Sequence, residues 1–140
     1  MEINDFEDLV VYKKARALAI RIYEITRTPM FEKDYRFCQQ IRASVGSISD
    51  NIAEGFERQG NKEFTYFLYI AKGSCGEVRS QLNRALDVGY IDNDTYSSLY
   101  NDCKKLSSAI LNFIKSIKSS GFEGSRYFFP SNPSNHSNPK

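Results

Sequence analysis

The sequence predicts an all-α protein, an antiparallel up-and-down four-helix bundle, and three observations carry that expectation. Apolar residues recur at steps of three and four in four successive segments, the spacing that lines one face of a helix. Short clusters of Pro, Gly, Asn and Asp separate those segments. No run of alternating apolar and polar residues competes as a strand. At 140 residues the chain has the size of one domain. A fold of that length buries roughly 68% of the surface its unfolded chain exposes, enough for a real core.

The first helix is expected at about residues 5–27, where Val11, Ala15, Leu18, Ile22 and Ile25 make one apolar stripe. Asn4 or Asp5 can cap its start, and Glu7 and Asp8 fall in the first turn, where the helix dipole favours carboxylates. Pro29 stops it, because the residue before a proline is driven out of the α region. The second helix, about 34–58, carries Phe37, Ile41, Val45, Ile48, Ile52 and Phe56 on one side. It ends near Gly60, since glycine most readily takes the left-handed position after a helix. Asn61 caps the third, about 62–88, with Phe64, Leu68, Ala71, Cys75, Val78, Leu82 and Ala85 in unbroken alternation. Gly89 closes that helix, and Asp92 or Asp94 opens the fourth, about 93–118. There Tyr96, Leu99, Cys103, Leu106, Ile110, Phe113 and Ile117 repeat the heptad in the opposite phase. Four helices of roughly 20–28 residues with short connections place sequence neighbours antiparallel around one core. Residues 1–118 thus form the bundle. Residues 119–140 are rich in Ser, Asn, Pro and Gly and read as a disordered tail. The Tyr127-Phe128-Phe129 cluster is the part of that tail suited to docking.

The formal charge is +2, from 19 Lys and Arg against 17 Asp and Glu. With a pI near 8.4, that balance names no nucleic-acid partner, whose domains often lie above about pI 9. It excludes none either, because folding can concentrate charge on one face. Cys38, Cys75 and Cys103 are odd in number and widely spaced, with no zinc-ligand pair. The start, MEINDFEDLV, is acidic where a signal peptide is basic. No charge-free apolar run approaches the ~18 residues that cross a bilayer. Free thiols, a reducing cytoplasm and no membrane contact are therefore expected.

Catalytic chemistry lacks its residues. The one histidine, His136, lies in the tail, so Ser-His-Asp and Cys-His systems have no base. A di-iron bundle needs Glu-x-x-His on two helices, and none occurs. There is no Walker loop or dinucleotide fingerprint, and Gly73-Ser-Cys-Gly76 lies within a helix with no strand before it. No catalytic, cofactor or metal site is expected, and the chain is read as a non-enzyme. The cysteines sit on apolar stripes and read as small core residues rather than reactive thiols. Gly73 and Gly76 each cost a helix interior about 1 kcal/mol against Ala, which close approach of a neighbouring helix or a ligand in the groove would justify.

A polar stripe runs beside the apolar one on the second helix. Gln40, Ser44, Ser47, Asn51, Glu54 and Arg58 recur at three and four, turned about 100° from the Ile41 and Ile48 line. It is poor in lysine and contains small residues, so a polar subunit interface or an interhelical hydrogen-bond network fits it better than a solvated face, with a ligand or RNA surface as the remaining reading. Glu77, Gln81 and Arg84 offer a matching set on the third helix. Arg42, Asn51, Glu54, Arg58 and Glu77 are the candidates for that interface or network. Glu54 and Glu77 also form the one conceivable acid/base pair, with structural hydrogen bonding the simpler reading. Among the cations, Lys14 and Arg21 share a helix face at a seven-residue separation that can track phosphates. Lys14, Arg21, Lys72 and Arg79 are the nucleic-acid contact candidates, with Tyr66 and Tyr69 available to stack on bases. Glu24 and Asp50 dilute the positive field nearby.

Three stretches resemble one family. FEDLVVYKKARALAIRIYEIT, QQIRASVGSISDNIAEGFER and FTYFLYIAKGSCGEVRSQL are similar to the 23S rRNA-intervening-sequence proteins, also called four-helix-bundle proteins. Ser49 to Gly55 and Ile70 to Ser74 before Glu77 look like its most recognisable motifs, and the likeness covers about residues 5–118. Tyr12 stands where the family often has Trp, and Glu57 where a small residue is common. The resemblance implies an up-and-down bundle that assembles as a homopentamer. Some members are encoded within insertions in bacterial large-subunit rRNA genes. A related branch comprises accessory proteins of diversity-generating retroelements, which bind the reverse transcriptase and nucleic acid. The expected function is a non-enzymatic, oligomeric bundle associated with RNA or a nucleoprotein. The alternative is a protein-binding scaffold or accessory subunit for a partner enzyme such as a reverse transcriptase. A small-ligand binder using the groove near Gly73 and Gly76 is a third reading.

Overall fold

The four apolar stripes become four long helices, and the linker after the first becomes a fifth, short one. In chain order they are α1 (Val10–Thr26), α2 (Pro29–Lys33), α3 (Tyr35–Glu57), α4 (Asn61–Asp87) and α5 (Asn93–Ser120). The computed structural model describes residues 2–120 and 127–128. The expected tail otherwise lies outside the described residues. Within them, Glu2–Ile3 pairs antiparallel with Tyr127–Phe128 as a two-residue ladder.

Local chemistry explains where the ends differ from expectation. The Asp5 carboxylate accepts from the Phe6 N–H at 3.0 Å, and Asp8 accepts from the N–H groups of Asn4 and Asp5 at 3.1 Å each. These bonds close a separate 3-10 turn, Phe6–Asp8. Leu9 then leaves helical geometry (φ −73°, ψ 133°) to bury its side chain fully, so α1 starts at Val10 rather than near residue 5. Pro29 occupies the first position of α2, where the missing N–H breaks no bond. That short helix delivers Phe31, fully buried, to one end of the core. The Asp34 side chain caps α3 by accepting from the Phe37 N–H at 3.2 Å. The left-handed residue after α3 is Gln59 (φ 60°), not Gly60. Gly60 is extended because its carbonyl already accepts the first bond of α4, from the Phe64 N–H at 2.8 Å. Gly89 (φ 81°) closes α4 as expected.

Around the bundle the order is α1, α3, α4, α5, with α5 returning against α1. Each neighbouring pair is antiparallel, as the contacts Thr26–Arg42, Ser47–Ser74, Asn83–Tyr96 and Arg21–Asp102 require. The inward residues of the heptads form one core. Phe64 stands edge-on to Phe56 and Phe113, with centroids 6.0 and 5.6 Å away. At the other end Phe31 packs on Phe37 and Tyr90, each at 5.1 Å. The Tyr90 hydroxyl donates to Asp34 at 2.9 Å, a bond that raises the phenol above its ordinary pKa.

Of the interior glycines, Gly55 is the close-packed one. A Cβ there would lie 2.7 Å from Phe67 Cβ and 3.3 Å from the Phe64 carbonyl oxygen. Gly73 and Gly76, expected at a close helix approach or beneath a ligand, have none of the described residues within 4 Å of the same position.

Candidate functional site

The polar stripe of α3 lies along the seam with α4. Ser47 and Ser74 hydroxyls meet at 3.0 Å, and Asn51 Nδ2 donates to the Ser47 carbonyl at 2.8 Å and hydroxyl at 2.9 Å. Further along, Arg84 donates to Gln40 Oε1 at 3.0 Å while its guanidinium covers the Phe37 ring at 4.7 Å. At the opposite end Arg58 pairs with Glu54 at 3.1 Å and Glu63 at 3.7 Å, over the Phe67 ring. Both partners of those pairs are half-exposed, which keeps their contribution to stability small. Gln81 is the exception in this seam. It is 2% exposed, and its Oε1 has no hydrogen-bond partner among the described residues.

Arg42 belongs to another contact. Its Nε donates to Thr26 Oγ1 at 2.9 Å, and the guanidinium lies 4.8 Å over the Tyr23 ring. Thr26 is fully buried and also donates to the Tyr23 carbonyl at 2.9 Å, so Arg42 ties α3 to the last turn of α1. Glu77 is exposed on α4. With Ser47 level with Ser74, Glu77 stands about ten residues of helix from Glu54, or about 15 Å at 1.5 Å per residue. The two carboxyls are not brought together as an acid/base pair.

The fold divides the four phosphate candidates into two pairs, Lys14 and Arg21 in one groove between α1 and α5, and Lys72 and Arg79 on α4. Arg21 forms an ion pair with Asp102 across α1 and α5. Arg79 lies on α4 with its guanidinium 5.6 Å from the Tyr100 ring centre. Lys72 is half-buried on α4. Lys14 also faces the adjoining part of that groove, lined by Lys104, Lys105, Ser108, Ala109 and Asn112. Among the described residues no ion pair holds Lys14, Lys104 or Lys105. Lys104 and Lys105 were not among the expected contacts. The sequence signal that finds them is their place between the core positions Cys103 and Leu106, at the start of a long stretch without acid. Toward the start of α1 the groove becomes apolar, lined by Leu9, Val10, Val11 and Phe113.

Cys38, Cys75 and Cys103 are buried free thiols. Burial pushes Cys75 and Cys103 up to about 12, and raises Cys38. A thiol is nucleophilic as its thiolate, so these groups are inert near neutral pH. Among the described residues no cluster of His, Cys, Asp or Glu is placed to hold a metal ion. No helix of the described residues is long and apolar enough to cross a membrane.

Comparison with known proteins gives a family. The family model for the 23S rRNA-intervening sequence protein matches residues 7–112. A crystal structure of a protein of unknown function from the S23 ribosomal protein family of Bacteroides thetaiotaomicron superposes with a TM-score of 0.69 at 28% identity. The match covers 76% of this chain and 99% of that one. No curated protein matches. The chain belongs to the 23S rRNA-intervening sequence protein family.

Proposed function

We propose that this member of the 23S rRNA-intervening sequence family is a non-catalytic bundle that assembles with copies of itself and works in association with RNA or a nucleoprotein. The observation that carries the reading is the outward stripe of α4. Tyr66 (61% exposed), Tyr69 and Ile70 lead into Gly73 at helical spacing, on a face that would be polar if it met only water. Gly73 weakens the helix by about 1 kcal/mol relative to Ala and makes no close approach to any of the described residues. A second copy seated there would bury the rings and use the missing Cβ for close contact. Aromatic residues are enriched in such interfaces.

RNA association is supported by the family description and by the cations the fold leaves uncommitted. Non-catalysis is supported by the separation of Glu54 from Glu77 and by the raised thiols. Three free buried cysteines favour a reducing cytoplasmic setting. A ring of five is the assembly the family resemblance implies. Native mass spectrometry of the full chain tests the reading. Five 16.1 kDa chains give a species of about 80 kDa, and Tyr66→Glu with Ile70→Glu dissociates it. A wild-type chain that stays monomeric at tens of micromolar overturns self-assembly.

A further inference from the structure

We infer that the groove between α1 and α5 is the surface on which the chain holds the phosphodiester backbone of RNA, an inference that rests on the RNA association proposed above. The near-neutral total charge hides a strong segregation. Val10–Tyr23 carries four cations and no carboxylate, and Asp102–Ser120 carries four lysines and the single Asp102. The rest of the chain has eleven cations and sixteen carboxylates. Folding sets those two basic stretches side by side, because α5 returns antiparallel against α1. The one carboxylate among them is spent on Arg21. Lys118 is turned the other way, toward the Tyr69 ring of α4.

What remains in the groove is Lys14 from one helix and Lys104 and Lys105 from the other, with Ser108 and Asn112 as neutral donors. Among the described residues no acidic side chain lines this stretch, and Asp102, which borders Lys14 and Lys105 in the adjoining part of the groove, is already paired with Arg21. Three ammonium groups and Arg21 share the single carboxylate of Asp102, so the cations left over repel one another and their grouping gains nothing for the fold itself. A polyanion relieves that repulsion and releases its own condensed counterions on binding. Lys115, exposed on α5, extends the row. From Lys104 it is eleven residues, three helical turns and about 16 Å, so it lies on the same side of the helix. A row of that length suits a polymer of phosphates better than a single small anion.

The test compares three full-length proteins binding a labelled oligouridine and a labelled RNA hairpin across a salt series. Each lost phosphate contact reduces the slope of log affinity against log salt by about 0.7 on a single strand or 0.9 on a duplex. Lys104→Ala with Lys105→Ala is expected to weaken both RNAs and to flatten the slope by about 1.4 and 1.8 respectively. Lys33→Ala with Lys62→Ala removes the same charge from exposed positions on α2 and α4 and is expected to leave the slope unchanged. All four lysines are exposed, so melting curves should show each variant folded. If the two double variants lose slope equally, binding follows net charge and the groove assignment is wrong. If neither loses slope, RNA binds elsewhere, and the groove fails while RNA association stands. Absence of wild-type binding at low salt overturns both and turns the groove over to an acidic protein partner.

Discussion

Gly55→Ala and Gly46→Ala make the same chemical change on the same helix and should move stability in opposite directions. A methyl at Gly55 would meet Phe67 Cβ at 2.7 Å, Phe64 Cδ1 at 3.0 Å and the Phe64 carbonyl oxygen at 3.3 Å. Two of those three atoms are fixed to the α4 backbone, so no side-chain rotation clears the space and the helices must part. Overpacking of this kind costs about 1–3 kcal/mol, and the rigid neighbours place Gly55 in the upper half of that range. Replacing glycine within a helix returns about 1 kcal/mol, leaving a net loss of about 1–2 kcal/mol. At Gly46 none of the described residues lies within 4 Å, so only the helix term acts and the variant gains about 1 kcal/mol. Urea unfolding followed by helix content measures both. With a slope of about 1–3 kcal/mol per molar, the two midpoints should separate by about 1 M or more. Equal midpoints, or a Gly55→Ala protein more stable than wild type, would refute the close α3–α4 approach that the packing argument rests on.

Three further outcomes follow from named contacts. Arg42→Ala removes a charged donor to the buried Thr26 hydroxyl and a cation over Tyr23, and should cost about 1–3 kcal/mol in urea unfolding. No change in either melting or assembly would remove Arg42 from any structural role. Gln81→Met keeps the volume while removing an unpartnered buried carbonyl, and should raise stability by about 1 kcal/mol; a loss would show that the amide has a partner in the assembled protein. Raised folded-state thiol pKa values stabilise the fold fully below the unfolded value near 9, and that contribution is lost as pH climbs toward 12. The melting temperature should therefore fall above about pH 9, and less steeply once Cys75 and Cys103 are both alanine. A fall of equal steepness in that double variant would assign the alkaline loss to other groups.

Much of the bundle is legible in one dimension because its causes are local. Three-and-four spacing selects the inward face whatever lies opposite, so Ile41, Ile48, Leu68, Val78 and Ile110 are core residues in the sequence and in the fold. Asp34 and Gly89 act within a few residues of themselves and mark their helix ends at once. Asp5 and Asp8 are a strong cap signal too, yet they close their own turn, because burying Leu9 makes the chain extend before α1 begins. Gly60 misleads for a similar reason: two helices compete for it, and the first bond of α4 takes its carbonyl.

The surfaces are less legible because they depend on partners far along the chain. By itself the sequence determined which residues turn inward, how many long helices form and roughly where they stop, since each follows from spacing and short-range hydrogen bonding. Only the tertiary structure decided which glycine is indispensable, because Gly55 and Gly73 differ solely in what lies across from them. It also decided the fate of the charges. Lys14 and Arg21 are equivalent on their helix, but Asp102 reaches one and not the other from 81 residues away. The groove that sets Lys14 beside Lys104 and Lys105 comes into being only when the last helix closes against the first, since charges so distant in the chain meet only through packing.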